Sequence, residues 1–181
     1  VNLEELLKKC IKQDRRAQEE LYYKYSKMLF TLSMKYCRNQ SEAEDNLHNT
    51  FIEIFTNIKK YKFKGSFEGW MKRIAVNKAI TLYKDNFHLS VLNENIKEDV
   101  AVDVEDVESI PLDYLLQLIQ DLPHQYRMVF CMYQLDDYSH KEIAEMLRIS
   151  ESTSKSNLHR AKVILKQKIM NDKQSYHIHE K

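Results

Sequence analysis

Only two glycines and two prolines occur in the 181 residues. So few turn-forming residues argue for helices joined by few sharp reversals. The apolar pattern agrees, because it repeats at helical spacing along most of the chain. Leu3, Leu6, Leu7, Cys10 and Ile11 fall on one face and predict a helix over 3–11. Asp14 can cap a second helix, with the stripe Ala17, Leu21, Tyr25, Met28, Leu29, Leu32 and Tyr36. Ser41 and Glu44 have the S-x-x-E spacing of a capping box, ahead of the stripe Ala43, Leu47, Phe51, Ile54, Phe55 and Ile58. The stretch from Tyr61 to Gly69 holds both glycines and reads as a break. A fourth helix is predicted from Phe67 or Trp70 to Tyr83. Between Asn86 and Ile110 the period disappears. Leu112, Leu115, Leu116 and Ile119 then open a short helix, Pro123 suits the first turn of another, and Tyr126, Val129, Phe130 and Tyr133 are expected to face inward. Asp136 and Asp137 make a turn, and the residues after Asn171 are expected to fray. The fold class is therefore all-α. It consists of two small helical domains, 1–88 and 111–171, joined by a flexible acidic linker over 89–110 and followed by a tail over 172–181.

The most specific stretch runs from Tyr138 to Ile169. Ser139 and Glu142 form a capping box, and Ile143, Ala144 and Leu147 make one apolar face. Ser150 offers a second N-cap only three residues after Leu147, and Leu158, Ala161, Leu165 and Ile169 continue at helical spacing. A short helix, a tight turn and a second helix fit a helix-turn-helix, whose second helix enters the DNA major groove. From Thr153 to Lys168 there are five basic residues and no acid. A helical hairpin with a solvated basic face would show the same period.

Net charge is only +1, but it is unevenly spread. Residues 1–90 carry 17 Lys/Arg against 11 Asp/Glu, residues 91–110 carry 1 against 7, and residues 111–181 carry 10 against 9. Two blocks with basic stripes flank an acidic connector, an arrangement that matters for partner choice. Between Lys59 and Lys84 eight basic residues accompany one acid, Glu68, interleaved with Tyr61, Phe63, Phe67, Trp70 and Tyr83. Cations track a phosphate backbone and aromatic faces stack on unpaired bases, so this stretch suits melted nucleic acid. Equally, the aromatics can be core and the lysines solvated.

Cys10, Cys37 and Cys131 form no C-x-x-C pair and read as buried, reduced thiols. The histidines have no nucleophile beside them, no glycine-rich phosphate loop is present, and the carboxylates concentrate in the linker. This pattern argues against an enzyme and calls for no cofactor, metal or small-molecule substrate. No apolar run approaches the ~20 residues that span a bilayer, and no signal peptide is visible, so a cytoplasmic location is expected.

Four segments in order carry a resemblance: SEAEDNLHNTFIEIF at 41–55, FEGWMKRIAVNKA at 67–79, LPHQYRMVF at 122–130 and YSHKEIAEMLRISESTSKSNLHRAK at 138–162. Over roughly residues 5–170 the chain resembles bacterial RNA polymerase sigma factors of the extracytoplasmic-function (ECF) group. The resemblance implies that 1–88 is sigma region 2 and 111–171 is region 4. It implies core RNA polymerase as a partner, through the β′ clamp helices and the β subunit, together with promoter DNA and an anti-sigma factor. Asp45, Asn46, His48, Asn49 and Glu53 are the implied polymerase contacts. Trp70, Lys72, Arg73, Asn77, Lys78 and Tyr83 are the implied −10 contacts. Lys155, Ser156, Asn157, His159, Arg160 and Lys162 are the implied −35 contacts, on the side opposite Leu158, Ala161 and Leu165. Asn46 and His48 stand where the family usually has leucine and glutamine, Arg148 where it often has glycine, Ser154 where valine is common and Asn157 where arginine is common. Two other readings use the same helices: a helix-turn-helix regulator with an N-terminal sensor or dimerisation domain, and a helical adaptor or antagonist that mimics a sigma factor. The first 90 residues discriminate, because a sensor has no need of the 41–55 and 67–84 patterns.

Overall fold

The computed structural model describes residues 2–86 and 111–178, with side chains through residues 82 and 172 respectively. Among the described residues every regular element is helical, and the chain divides into two compact units, Val1–Asp85 and Asn86–Lys181. The linker carboxylates Glu94, Glu98, Asp99, Asp103, Glu105, Asp106 and Glu108 lie outside the described residues.

The N-terminal unit comprises α1 (Leu3–Ile11), α2 (Arg15–Tyr36), α3 (Gln40–Asn57), a 3₁₀ turn (Ile58–Lys60) and α4 (Phe67–Asn86). Asp14 caps α2 by accepting from the Ala17 amide at 3.0 Å. Helix α3 starts earlier than the Ser41–Glu44 pair predicts. Asn39, in extended conformation, accepts from the Glu42 amide at 2.9 Å, and the Glu42 carboxylate turns back to the Arg38 amide and guanidinium. The predicted stripes form the core, with Leu7, Leu21, Leu29, Ile54 and Met71 fully buried. Ile11, the last residue of α1, is instead exposed. Burial pushes the Cys10 thiol up to about 11, with Asp14 and Glu20 adding to the shift, so it stays protonated at neutral pH. Only Gly65 of the two glycines sits in the loop, at φ +84°, while Gly69 lies within α4.

The C-terminal unit comprises α5 (Leu112–Gln120), α6 (His124–Phe130), α7 (His140–Leu147) and α8 (Glu151–Ile178). Pro123 precedes α6, and the buried Arg127 donates to the carbonyls of Gln120 and Leu122, closing the C-terminal end of α5. Helix α6 runs into a π turn over Cys131–Leu135, closed by the Asp136 amide on the Cys131 carbonyl at 3.1 Å. The wider turn shifts the register by one residue. Tyr133, expected inside, therefore points out and is 38% exposed. The backbone of α8 continues as helix past Asn171 to Ile178 where fraying was expected.

Candidate nucleic-acid interface

In the C-terminal unit the Ser139–Glu142 box closes in both directions, at 3.2 and 2.9 Å, and starts α7. Helix α7 ends on Arg148 in the left-handed region (φ 58°, ψ 48°), and Ser150 then caps α8 by accepting from the Thr153 amide at 3.0 Å. This is the helix-turn-helix geometry read in the sequence. Along α8 the inward stripe is Ser154, Asn157, Leu158, Ala161 and Leu165. Lys155, Ser156, His159, Arg160 and Lys162 are exposed, as expected. Asn157 is not: it is 5% exposed, because it lies one turn from both Ser154 and Ala161 and shares their face. It is removed from the set of surface contacts.

Two contacts hold the exposed face in place. The Arg160 guanidinium donates to the Tyr126 hydroxyl at 3.3 Å, which tethers it to α6. The His140 ring stacks on Tyr133 at 4.3 Å, and its Nδ1 lies 2.9 Å from the hydroxyl of the fully buried Ser154. Burial, and secondarily Lys155, hold the imidazole below its ordinary value of 6.5, against an opposing pull from Glu151.

In the N-terminal unit Lys72, Arg73 and Asn77 are exposed on α4, and Trp70 is half-buried one turn before Arg73. Lys78 forms an ion pair with Glu53 of α3 at 2.9 Å. Tyr83 lies on α4, but its side chain is outside the described residues. The loop before α4 is built around Tyr61. Its hydroxyl donates to the Gly65 carbonyl at 2.8 Å, and its ring contacts Phe63, Phe67 and Trp70 at 5.2, 5.0 and 5.6 Å. Phe67 is core, stacked on Trp70 at 5.5 Å. Phe63 is held in the left-handed region at φ 56°, is 49% exposed, and stands between the exposed Lys62 and Lys64. Phe63 is absent from the expected contact set, although its place among alternating lysines and aromatics marks it.

On α3, Asp45, His48 and Asn49 are exposed and Glu53 is half-exposed. Asn46 is fully buried, contrary to expectation. It falls on the stripe between Ala43 and Thr50, and its amide donates to Ser33 Oγ at 2.9 Å and to the Ala75 carbonyl at 3.2 Å, binding α2 and α4 to α3. Ile52 is missing from the expected set. It is 60% exposed and lies one turn from both His48 and Asn49. An isoleucine off the apolar stripe was the available signal. Among the described residues no group of three His, Cys, Asp or Glu side chains could hold a metal, and no helix is long and apolar enough to cross a membrane.

Comparison with known proteins matches residues 21–87 to the family described as sigma-70 region 2, and residues 112–165 to sigma-70, region 4. The chain is 27% identical over 184 residues to the ECF RNA polymerase sigma factor SigW of Bacillus subtilis (strain 168), covering 92% of this chain and 98% of that one. It is 26% identical over 158 residues to the ECF RNA polymerase sigma factor SigM of the same organism, covering 82% and 92%. Among solved structures, the sigma factor RpoE co-crystallised with the anti-sigma factor NepR from Bartonella quintana is similar in fold. There the TM-score is 0.54 at 15% identity, over 82% of this chain and 94% of that one.

Proposed function

We propose how this chain, which belongs to the ECF group of the sigma-70 family of RNA polymerase sigma factors, divides its work in starting transcription. The observation that carries the proposal is the presence of two different cationic faces on two separate units. One is a helix-turn-helix whose second helix exposes Lys155, Ser156, His159, Arg160 and Lys162. The other is a loop and helix that combine exposed aromatic surface with cations.

The first face suits duplex DNA, because a single helix fits the major groove. Its Tyr126-tethered Arg160 is oriented before DNA arrives, which lowers the entropy lost on binding. This is the −35 contact. The second face suits unpaired bases. Phe63 offers a stacking surface, Lys62 and Lys64 flank it, and Trp70, Lys72, Arg73 and Asn77 continue the face along α4. This is the −10 contact, and Asn77 can pair with an exposed base edge. Helix α3 meets the β′ clamp helices with Asp45, His48, Asn49 and Glu53 around the apolar Ile52. The protein supplies binding energy for recognition and strand opening, and the chemistry belongs to the polymerase. It works in the cytoplasm, where an anti-sigma factor covers these faces until it is needed.

The test is pull-down with core polymerase, followed by run-off transcription from a randomised promoter pool. The expected result is co-purification and enrichment of templates at two separated elements. Transcription that needs only one element, or DNA binding without core binding, refutes the division of work.

A further inference from the structure

The −10 and −35 faces leave one strongly charged surface unused. Helices α2 and α3 run antiparallel, and two contacts bracket their register: Tyr22 lies over Phe51 at 4.6 Å, and Ser33 meets Asn46 at 2.9 Å. Extended toward the start of α2, that bracket sets Arg15 and Arg16 level with a stretch that includes the 3₁₀ turn carrying Lys59 and Lys60. Lys12 belongs to the turn that joins α1 to α2 at the same end. All five side chains are exposed, and none is ion-paired among the described residues. The acid among them, Asp14, is occupied as the cap of α2, and Glu19 and Glu20 lie one turn further along.

Fold stability accounts for only part of this arrangement. Lys59 and Lys60 follow the C-terminal end of α3, where the helix dipole favours cations. Arg15 and Arg16 occupy the first turn of α2, which has no acidic residue, and there the dipole disfavours them. Clustering five like charges adds mutual repulsion. An anionic partner would offset both costs. From Lys60 the chain passes through the half-buried Tyr61 into Lys62, Phe63 and Lys64 of the aromatic loop, so the cations adjoin the proposed base-stacking site along the chain.

We propose that Lys12, Arg15 and Arg16, together with Lys59 and Lys60, form a phosphate-binding end face that grips promoter backbone beside the bases taken by the Phe63 loop. The proposal rests on the −10 reading of that loop. It adds a sequence-independent anchor on α1 and α2, outside the loop and α4. Its contacts are to phosphates alone, so it contributes affinity and salt dependence without base preference.

The test uses the full chain bound to core polymerase and a forked DNA with a single-stranded −10 segment. Binding is measured between 50 and 200 mM salt for the parent, for the triple variant Lys12→Gln/Arg15→Gln/Arg16→Gln, and for Phe63→Ala. Each single-strand phosphate contact contributes about 0.7 to the slope of log affinity against log salt, so the triple variant should lower the slope by about two. Over this fourfold salt range the parent should lose about twentyfold more affinity than the variant. The ranking of −10 sequences should be unchanged in the triple variant and flattened in Phe63→Ala. An unchanged slope in a folded, core-bound triple variant overturns the end face. Loss of core binding in the folded triple variant also overturns it, and assigns the cations to an acidic protein surface instead. Removing cations from the first turn of α2 should hold or raise the thermal midpoint, so a variant that unfolds contradicts the charge argument itself. A parent with no −10 preference refutes the Phe63 reading separately, and the salt slope still decides the end face.

Discussion

At Arg148 the main chain adopts a left-handed conformation that glycine takes freely and an L side chain reaches at a cost of about 1–2 kcal/mol. Gln13, Phe63 and Asp137 are in the same region of backbone space. Arg148→Gly should therefore raise stability by about 1 kcal/mol, less the entropy that glycine adds to the unfolded chain, and thermal melting checks it. Residues 45 and 46 give a second prediction. Asp45→Lys should weaken competition for limiting core polymerase while leaving the melting midpoint unchanged, since Asp45 is exposed. Asn46→Leu should leave core competition intact. Its stability should stay within about 1 kcal/mol of the parent, because leucine removes a buried Oδ1 that has no hydrogen-bond partner among the described residues as well as two donated bonds. Equal loss of core binding in both variants would refute the inward placement of Asn46.

Helix α8 carries the −35 predictions. Lys155→Ala and Arg160→Ala should each weaken binding to −35 duplex. A phosphate contact would lower the salt slope by about one, and a base contact would relax preference at one position by about 1–3 kcal/mol. Unchanged affinity in both, with the fold intact, removes the helix from the groove. His140 supports the same helix and titrates. Its folded value lies below 6.5, so the folded state holds it neutral while the unfolded chain takes up a proton. The contribution of His140 to stability is therefore complete above about pH 6.5, falls as pH drops below it, and stops falling once the folded value is passed. His140→Gln should make the melting midpoint fall less between about pH 7.5 and pH 5 than it does in the parent. The helix-turn-helix was legible because caps and short stripes are local signals, and the Ser139–Glu142 box forms as read. The π turn was not legible, since a helix of ordinary period continues to Tyr133 in sequence and only packing widens it. The same limit explains Asn46 and Asn157. A polar residue on an apolar stripe looks like surface until a partner such as Ser33 or a neighbour such as Ser154 is placed beside it. Phe63 and Ile52 were legible in part, since both are apolar side chains outside the helical stripes, and both are exposed.

At the scale of the whole molecule, two compact units share one chain. Each has its own buried residues, so unfolding should show two transitions, and a chain of residues 1–86 should stay helical and bind core polymerase alone. It should lose −35 dependence, because tethering makes the second DNA contact effectively intramolecular. A single cooperative transition, measured by calorimetry and circular dichroism, would contradict independent units. The Glu53–Lys78 ion pair has a further consequence. Glu53 belongs to the proposed polymerase face, and Lys78 is among the −10 contacts implied by the family resemblance. If polymerase engages the carboxylate as proposed, the ammonium would be released toward phosphate, and DNA that takes the ammonium would equally release the carboxylate. Thermodynamic linkage would make the two effects equal in size, so that on this reading polymerase and promoter reinforce each other through a single bond. An ion pair this exposed carries no more than about 1 kcal/mol, so the cooperativity it transmits is capped at about fivefold. On the same reading the free factor would be slightly biased away from DNA that it meets without its enzyme.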